Sequence, residues 1–368
     1  MSPEDKPYRV YRGGRVKGRV PTVQKPERTT SRDGRRRPPL RYPGPGAKER
    51  PKRRIGWRRG VLLALGLLFM FLIVWTVLGF LSVRQGAKEA NARLGPRAEA
   101  ALEPQDGLLL SHPSVILLLG TDHAAYQRAR KGFRRSDSIM LIRTDPGRGR
   151  IGYLTIPRDL RVEVPGYGFE KINSAMQIGG PALAIRTIRQ IVPEVNHVVV
   201  VNFDAFKEVI DKVGGVTIDV PGPILSNKFD CPYPTQERCD RWAGWRFAKG
   251  RQKMDGRRAL IYSRIRENRL NPAESDITRG QRQQDVIQAL LGEMASFRVW
   301  LKLPFIGDDL MSPLTTDLSA GQFMQLALVQ KRSNREVRCR LGGTPQNFGG
   351  GSFIQLDEEA RRTILAFR

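Results

Sequence analysis

The longest unbroken apolar stretch of this 368-residue chain, Val61 to Val83, carries no charged residue. As a helix it would cover roughly 33 Å, about the hydrocarbon thickness of a bilayer, so the pattern predicts a transmembrane helix over 61–83. A cleaved signal peptide has an apolar core of only about 7 to 15 residues behind a short basic region, unlike this run. Beyond it the apolar runs shorten. Val115 to Leu119 is continuous and ends at Gly120, as a strand buried on both faces does. Ser138 to Arg143 and Ile151 to Ile156 predict two more strands, and Asp145-Pro146-Gly147 between them favours a hairpin-like turn. Gly179-Gly180-Pro181 then introduces a helix over Ala182 to Val192, with Pro181 at its first position. His197 to Val201 reads as a strand, Phe203 to Val213 as a helix stopped by Gly214-Gly215, and Val216 to Val220 as a strand. Asp255 caps a helix to about Arg264, and a longer helix from Ile277 to about Phe297 follows the Pro272 break. Thr315 to Val329 predicts another helix, and a short C-terminal one follows the glycine-rich loops at Gly342-Gly343 and Gly349 to Gly351. Alternating strands and helices of this kind define an α/β domain whose helices cover a central sheet.

Charge changes the picture at the N-terminus. Of the net +27, +15 falls in residues 1–60, which hold 20 Lys/Arg against 5 Asp/Glu and are rich in Pro, Gly and Arg. Such a composition cannot bury enough apolar surface to offset its ordering entropy, so a disordered basic tail is expected there. Residues 84–113, Ala-rich and of mixed charge before Pro104, Gly107 and Pro113, read as a stalk or leading helix, and residues 114–368 as the folded domain with a C-terminal extension. Arg53, Arg54, Arg58 and Arg59 precede the apolar run, whereas Arg84 and Lys88 follow it beside Glu89. That asymmetry predicts a single-pass membrane protein with a cytoplasmic N-terminus and an extracytoplasmic domain. Outside the cell disulfides persist and soluble nucleoside triphosphates are not expected. The spacing of Cys231 and Cys239 permits a loop bridge and lacks the further Cys or His of a zinc site, while Cys339 stands apart. Basic residues next to a membrane are attracted to anionic lipids by about 1 kcal/mol each. The tail contains no folded recognition element, so no specific nucleic acid is expected as a partner.

The candidate chemistry lies in three clusters: Arg135-Ser136-Asp137, Pro157-Arg158-Asp159, and Asp276 followed by Arg279, Arg282 and Gln283. Guanidinium forks fit phosphate oxygens, and nearby carboxylates allow a divalent cation to share the phosphate. Each cluster alone could equally be an ordinary surface ion pair. Jointly they are more informative, because Asp122, Arg158 and Arg135 with Asp137 fall near the ends of separate apolar strands, where α/β sheets place ligands. On the long helix Arg279, Arg282 and Gln283 occupy relative positions 0, +3 and +4. They therefore share one face of its first turns, where an anion would also meet the helix N-terminal amides.

These residues resemble the LytR-CpsA-Psr family of bacterial envelopes. The resemblance rests on Gly120-Thr121-Asp122, Arg135-Ser136-Asp137-Ser138, Ile156-Pro157-Arg158-Asp159 and Lys171-Ile172-Asn173-Ser174-Ala175 with Gly179-Gly180. It continues through Val201-Asn202-Phe203, Val213-Gly214-Gly215-Val216, Asp255-Gly256, Ala259 to Arg266, and Asp276, Arg279 and Arg282-Gln283-Gln284. It implies a mixed sheet in an α/β/α arrangement and transfer of a phosphoglycan, such as a teichoic acid or polysaccharide, from a polyprenyl-pyrophosphate carrier onto peptidoglycan. By the same resemblance, Asp122 and Asp137 would hold Mg2+, and Arg135, Arg158, Arg264, Arg266, Arg279 and Arg282 would neutralise the pyrophosphate with support from Gln283. The catalytic set implied is Asp122, Arg135, Arg158 and Arg279, with Asp122 orienting or deprotonating the acceptor hydroxyl. A lipid-pyrophosphate-binding or envelope-regulatory protein without turnover is the alternative. One departure stands out: family members often carry an arginine just after the Asp122 position, whereas here His123, Ala124 and Ala125 follow, with Arg128 and Arg130 later.

Overall fold

The computed structural model describes residues 57–121, 135–272, 276–348 and 351–368. The basic tail expected over 1–60 therefore lies almost wholly outside the described residues. In chain order, helix α1 (Trp57–Ala92) and the single turn α2 (Pro96–Glu99) lead to β1 (Ser114–Thr121), β2 (Ser136–Asp145) and β3 (Arg150–Ile156), then to a hairpin of β4 (Arg161–Val164) and β5 (Gly168–Lys171). Helix α3 (Ser174–Arg189), β6 (His197–Asn202), α4 (Phe203–Val213) and β7 (Val216–Val220) follow, then β8 (Ile224–Leu225), α5 (Gln236–Arg241), β9 (Arg246–Phe247) and β10 (Gly250–Met254). Helices α6 (Gly256–Arg264), α7 (Asp276–Met294) and α8 (Phe297–Met311) precede β11 (Thr315–Thr316), α9 (Ala320–Arg332) and β12 (Arg335–Arg340). The chain closes with the hairpin β13 (Thr344–Phe348) and β14 (Gly351–Gln355) and helix α10 (Glu358–Phe367).

The central sheet is mixed and six-stranded, in the order β11-β6-β1-β2-β3-β12. β1 runs parallel to β6, and β3 parallel to β12, while β1/β2, β2/β3 and β6/β11 are antiparallel. Successive strand residues point to opposite faces, and the apolar runs supply both. Val115, Leu117 and Leu119 of β1, with Ile139 and Leu141 of β2, enter the core under α3 and α10. Ile116, Met140, Ile142 and Tyr153 enter the opposite core under α7 and α9. Helices thus cover both faces, as the resemblance implied. Helix α4 and strand β7 occupy the predicted bounds. Asn202 caps the start of α4 by accepting from Ala205 N at 2.8 Å, and Gly214 ends it in the left-handed conformation (φ 94°).

Four elements differ from the sequence reading. Helix α3 begins at Ser174 rather than Ala182, and the non-helical dihedrals of Gly179 and Gly180 kink it. The long helix stops at Met294, and Ser296, accepting from Val299 N, caps the separate helix α8. Thr315 and Thr316 pair with β6 instead of opening a helix, and α9 starts behind the Ser319–Gln322 capping box. β12 joins the sheet edge although its residues, REVRCR, are mostly polar.

Helix α1 is long and apolar enough to cross a membrane. It runs on past Val83, and the segment expected as a stalk packs against the domain. Val83, Gly86, Ala87 and Ala90 are buried, Val83 and Ala87 sharing a core with Leu303, Leu310 and Met311 of α8. Small residues make this approach possible. A Cβ on Gly86 would lie 2.3 Å from the Asp308 carbonyl oxygen, and one on Gly307 would lie 2.8 Å from Val83 N.

Candidate active site

The parallel register of β1 and β6 sets Gly120 beside Val201 and Thr121 beside Asn202, so the two strands end side by side. β2 starts at the same edge. Its Ser138 pairs with Gly120, but Thr121 pairs with Ser136, which leaves Asp137 as the extra residue of a β-bulge. Bulges of this kind re-aim a side chain, and Asp137 lines a cavity of about 440 Å³ at this edge. Ser138 donates to Gln283 Oε1 at 3.1 Å across the same cavity.

Arg158 follows β3 in a turn closed by Leu160 N donating to Pro157 O, and its backbone carbonyl accepts from Asn173 N. Its guanidinium is committed to two carboxylates: Nη1 donates to Asp137 Oδ1 at 2.8 Å and Nε to Asp159 Oδ2 at 3.3 Å. Asp159 also accepts from Lys171 Nζ at 2.7 Å. Burial disfavours the charge on Arg158, but Asp137 and Asp159 outweigh it and hold its pKa above the ordinary value. Burial likewise raises Asp159, but the Lys171 hydrogen bond and Arg158 prevail and hold its carboxyl below the usual range. The chain Asp137–Arg158–Asp159–Lys171 thus holds the Asp137 side chain in place at the cavity wall.

The remaining wall comes from β6, α4, α6, α7 and the loop after β8. Arg264 and Arg266, at and just beyond the end of α6, line it with Asn227 and Phe229. Arg264 pairs with Asp230 and lies over the Phe203 and Phe229 rings, 4.6 and 5.5 Å from their centroids. From α7, Arg279, Gln283, Val286 and Ile287 face the cavity at helical spacings of four, seven and eight. Leu118, Val201, Phe206 and Leu260 complete an apolar part of the lining.

Asp137, Arg264, Arg266, Arg279 and Gln283 are therefore brought together, but not every expected residue joins them. Arg282 does not line the cavity. It is only 4% exposed and donates from Nη2 to the Ile265 carbonyl at 2.6 Å, bracing the loop that carries Arg264 and Arg266. The predicted face of Arg279, Arg282 and Gln283 is thus split: positions 279 and 283 serve the cavity and position 282 the core. Arg135 is exposed, donates to Gln177 Oε1 at 2.9 Å and stands outside the lining. Asp122, His123, Arg128 and Arg130 lie outside the described residues, as does the side chain of Asp276.

Sequence reasoning missed Ser138, Asn227, Phe229 and Asp230 as members of this site. Asp230 directly precedes the loop that the Cys231–Cys239 disulfide closes. Asn227 gave no signal in the sequence. Its side-chain oxygen is buried with no hydrogen-bond partner among the described residues, the condition of a group awaiting a donor from a ligand. No group of three or more His, Cys, Asp or Glu is arranged for a metal among the described residues. Asp137, the carboxylate among the described residues that lines the cavity, does suit Mg2+, which is commonly held by one or two carboxylates together with substrate phosphates.

A family model described as "LytR_cpsA_psr family" matches residues 78–359. The chain is 33% identical over 218 residues to the regulatory protein MsrR of Staphylococcus aureus, a match that covers 58% of this chain and 59% of MsrR, less than two thirds of that relative's length. It is 32% identical over 257 residues to the polyisoprenyl-teichoic acid–peptidoglycan teichoic acid transferase TagU of Oceanobacillus iheyensis, covering 67% of this chain and 72% of TagU. Among solved structures, TagT bound to LI-WTA superimposes with a TM-score of 0.55 at 26% identity, over 72% of this chain and 93% of TagT.

Proposed function

The chain belongs to the LytR-CpsA-Psr family, and on that premise we propose that it is a membrane-anchored phosphotransferase that moves a phosphoglycan from a polyprenyl-pyrophosphate carrier onto peptidoglycan. The observation that carries this reading is the two-part lining of one cavity. A pyrophosphate requires cations and donors, supplied by Arg264, Arg266, Arg279 and Gln283. A polyprenyl tail requires wall without polar atoms to desolvate, supplied by Leu118, Val201, Phe206, Leu260, Val286 and Ile287. The transferase name of TagU supports a teichoic-acid-like polymer as the transferred glycan.

In this reading the acceptor hydroxyl attacks the phosphorus bonded to the glycan. Its P–O bond forms as the bond to the bridging oxygen breaks, polyprenyl phosphate departs with that oxygen, and the hydroxyl proton passes to a carboxylate or to water. The donor brings its own phosphoanhydride, so no nucleotide is consumed. Positioning and charge neutralisation supply most of the acceleration in such a step. Arg264 is held over two rings by Asp230, which fixes its charge in place before substrate arrives. Ser138 engages the oxygen of the Gln283 amide, so that its nitrogen serves a phosphate oxygen. Mg2+ on Asp137, with Asp122 as second carboxylate, would neutralise further charge on the pyrophosphate. The N-terminus would be cytoplasmic and the domain extracytoplasmic, in keeping with the basic flank before α1.

The full chain in lipid vesicles, given a labelled polyprenyl-pyrophosphate-linked glycan, peptidoglycan fragments and Mg2+, is expected to release polyprenyl phosphate. Arg279→Ala is expected to lower turnover by roughly 100-fold, the scale of losing one preorganised group at a developing charge. Bound donor with no release under any of these conditions would refute transfer. It would leave binding without turnover; the name of MsrR is that of a regulatory protein.

A further inference from the structure

Helix α8 presents a strip of large apolar side chains that stay mostly exposed among the described residues. Phe297, Leu301 and Phe305 recur every four residues and are 66, 42 and 72% exposed. Trp300 stacks on Phe297 with ring centroids 5.4 Å apart, and the exposed cations Arg298 and Lys302 flank the strip. A soluble surface rarely keeps such a strip bare. Its position beside α1 identifies what it meets. The Phe305 ring packs edge-on against Trp75, 5.8 Å between centroids, and a Cβ on Gly79 would fall 3.1 Å from Leu303. Further along both helices, Asp308 N donates to Ser82 Oγ at 3.1 Å. The two helices therefore run alongside each other in the same sense, and both turn from apolar to polar at one height: α1 after Val83, at Arg84 and Gln85, and α8 at Asp308 and Asp309. Leu303 meets Gly79 and Gly307 meets Val83, so Leu301 and Phe297 lie about 9 and 15 Å along a helix axis on the apolar side of that boundary, and the Phe305 ring reaches down to Trp75.

We propose that α8 is a second membrane contact: Phe297, Leu301 and Phe305 enter the hydrocarbon of the leaflet on the domain side, while Lys302, five residues before the Gly307 that meets Val83 and so about 7 Å below it along a helix axis, reaches back towards the lipid phosphates. The occupant is the bilayer rather than a protein partner, because the strip is continuous with the exposed apolar surface of α1 and shares its polar boundary. Long basic side chains on an interfacial helix keep their charge at the headgroups while their stems lie along the apolar zone. The proposal rests on α1 spanning the membrane, and the test separates the two.

In a Cys339→Ala background, single cysteines replace Leu68 on α1, Leu301 and Phe305 on α8, and Leu365 on the far helix α10, where the side chain is 68% exposed. Each full chain is nitroxide-labelled in vesicles of phosphatidylglycerol and phosphatidylcholine, and collisions with oxygen and with a water-soluble nickel chelate are compared. Labels at Leu301 and Phe305 are expected to behave like that at Leu68, with oxygen collisions prevailing, and the label at Leu365 to show the reverse. If Leu68 is immersed but Leu301 and Phe305 follow Leu365, the proposal is overturned and the anchor stands. If Leu68 itself is aqueous, the anchor reading falls and takes the proposal with it. Spin–spin broadening at Leu301 that vanishes on dilution with unlabelled chain would assign the strip to a second copy and also overturn it.

Discussion

Removing the charge of Asp137 while keeping its shape tests the electrostatic frame of the site. Arg158 Nη1 lies 2.8 Å from Asp137 Oδ1, and the two side chains are 26 and 34% exposed. At an effective dielectric constant of about 20, unit charges at this separation attract by roughly 6 kcal/mol. Partial desolvation of both ions and the fraction of each left in water reduce the net coupling to about 1–2 kcal/mol. The assay is a double-mutant cycle of wild type, Asp137→Asn, Arg158→Met and the double variant, each unfolded with urea as the full chain in lipid nanodiscs. Arg158→Met should be the most damaging single change, because it leaves Asp137 and Asp159 as neighbouring anions with Lys171 alone to offset them. The double variant should recover part of that loss. A coupling energy below about 0.3 kcal/mol, the scatter expected of independent sites, would refute the pairing. Transfer activity gives the complementary reading: Asp137→Asn should abolish most turnover while its stability falls far less than that of Arg158→Met.

Acid should weaken the same network. Asp159 is held below the usual carboxylate range, so its stabilisation is complete above the unfolded-chain value of about 4 and is lost as pH falls through the folded value. Asp159→Asn should therefore flatten the acid limb of a plot of melting temperature against pH. Arg282→Met should lower stability by about 2–3 kcal/mol, because the Ile265 carbonyl loses a buried charged donor. Its turnover per folded molecule should stay well above that of Arg279→Ala, as urea unfolding combined with release kinetics would show; equal turnover losses would place Arg282 at the phosphate after all.

The legible parts of the fold were those in which one local signal sufficed. β1, β3 and β6 are continuous apolar runs because helices cover both sheet faces, and α4 carries both its Asn202 cap and its Gly214 stop in sequence. α8 escaped because its apolar residues continue those of α7 with no Gly or Pro between Met294 and Phe297, because its Ser296 cap reads in sequence as one polar residue within a longer helix, and because Pro304 lies inside it. β12 escaped because an edge strand has little apolar surface to bury, and Arg338 spends its charge on Asp285 and Glu336 instead. In the site, the arginine and carboxylate types singled out in sequence do meet at one cavity, where Asp137 lies with Arg264, Arg266 and Arg279. Helical spacing could not separate Arg279 from Arg282, since adjacent faces of one helix turn differ only in what packs against them. Asn227 and Phe229 reach the cavity, and Asp230 reaches Arg264, from a loop whose path depends on residues far away in the chain, and no spacing rule records that.

The order of strands in the central sheet also bears on how the protein is made. Its middle, β1 to β3, is synthesised early, whereas both edges are closed late, by β11 and β12, and α1 finds its seat on α8 only after residue 311 has appeared. Until then the outer edges of β6 and β3 offer unpaired backbone to any extended neighbour, the template from which misassembly and aggregation start. The C-terminal extension, which brings no chemistry to the cavity, thus guards an edge during biogenesis. Shortening the chain before Arg335 would harm the yield of soluble, correctly assembled protein well before it altered the site.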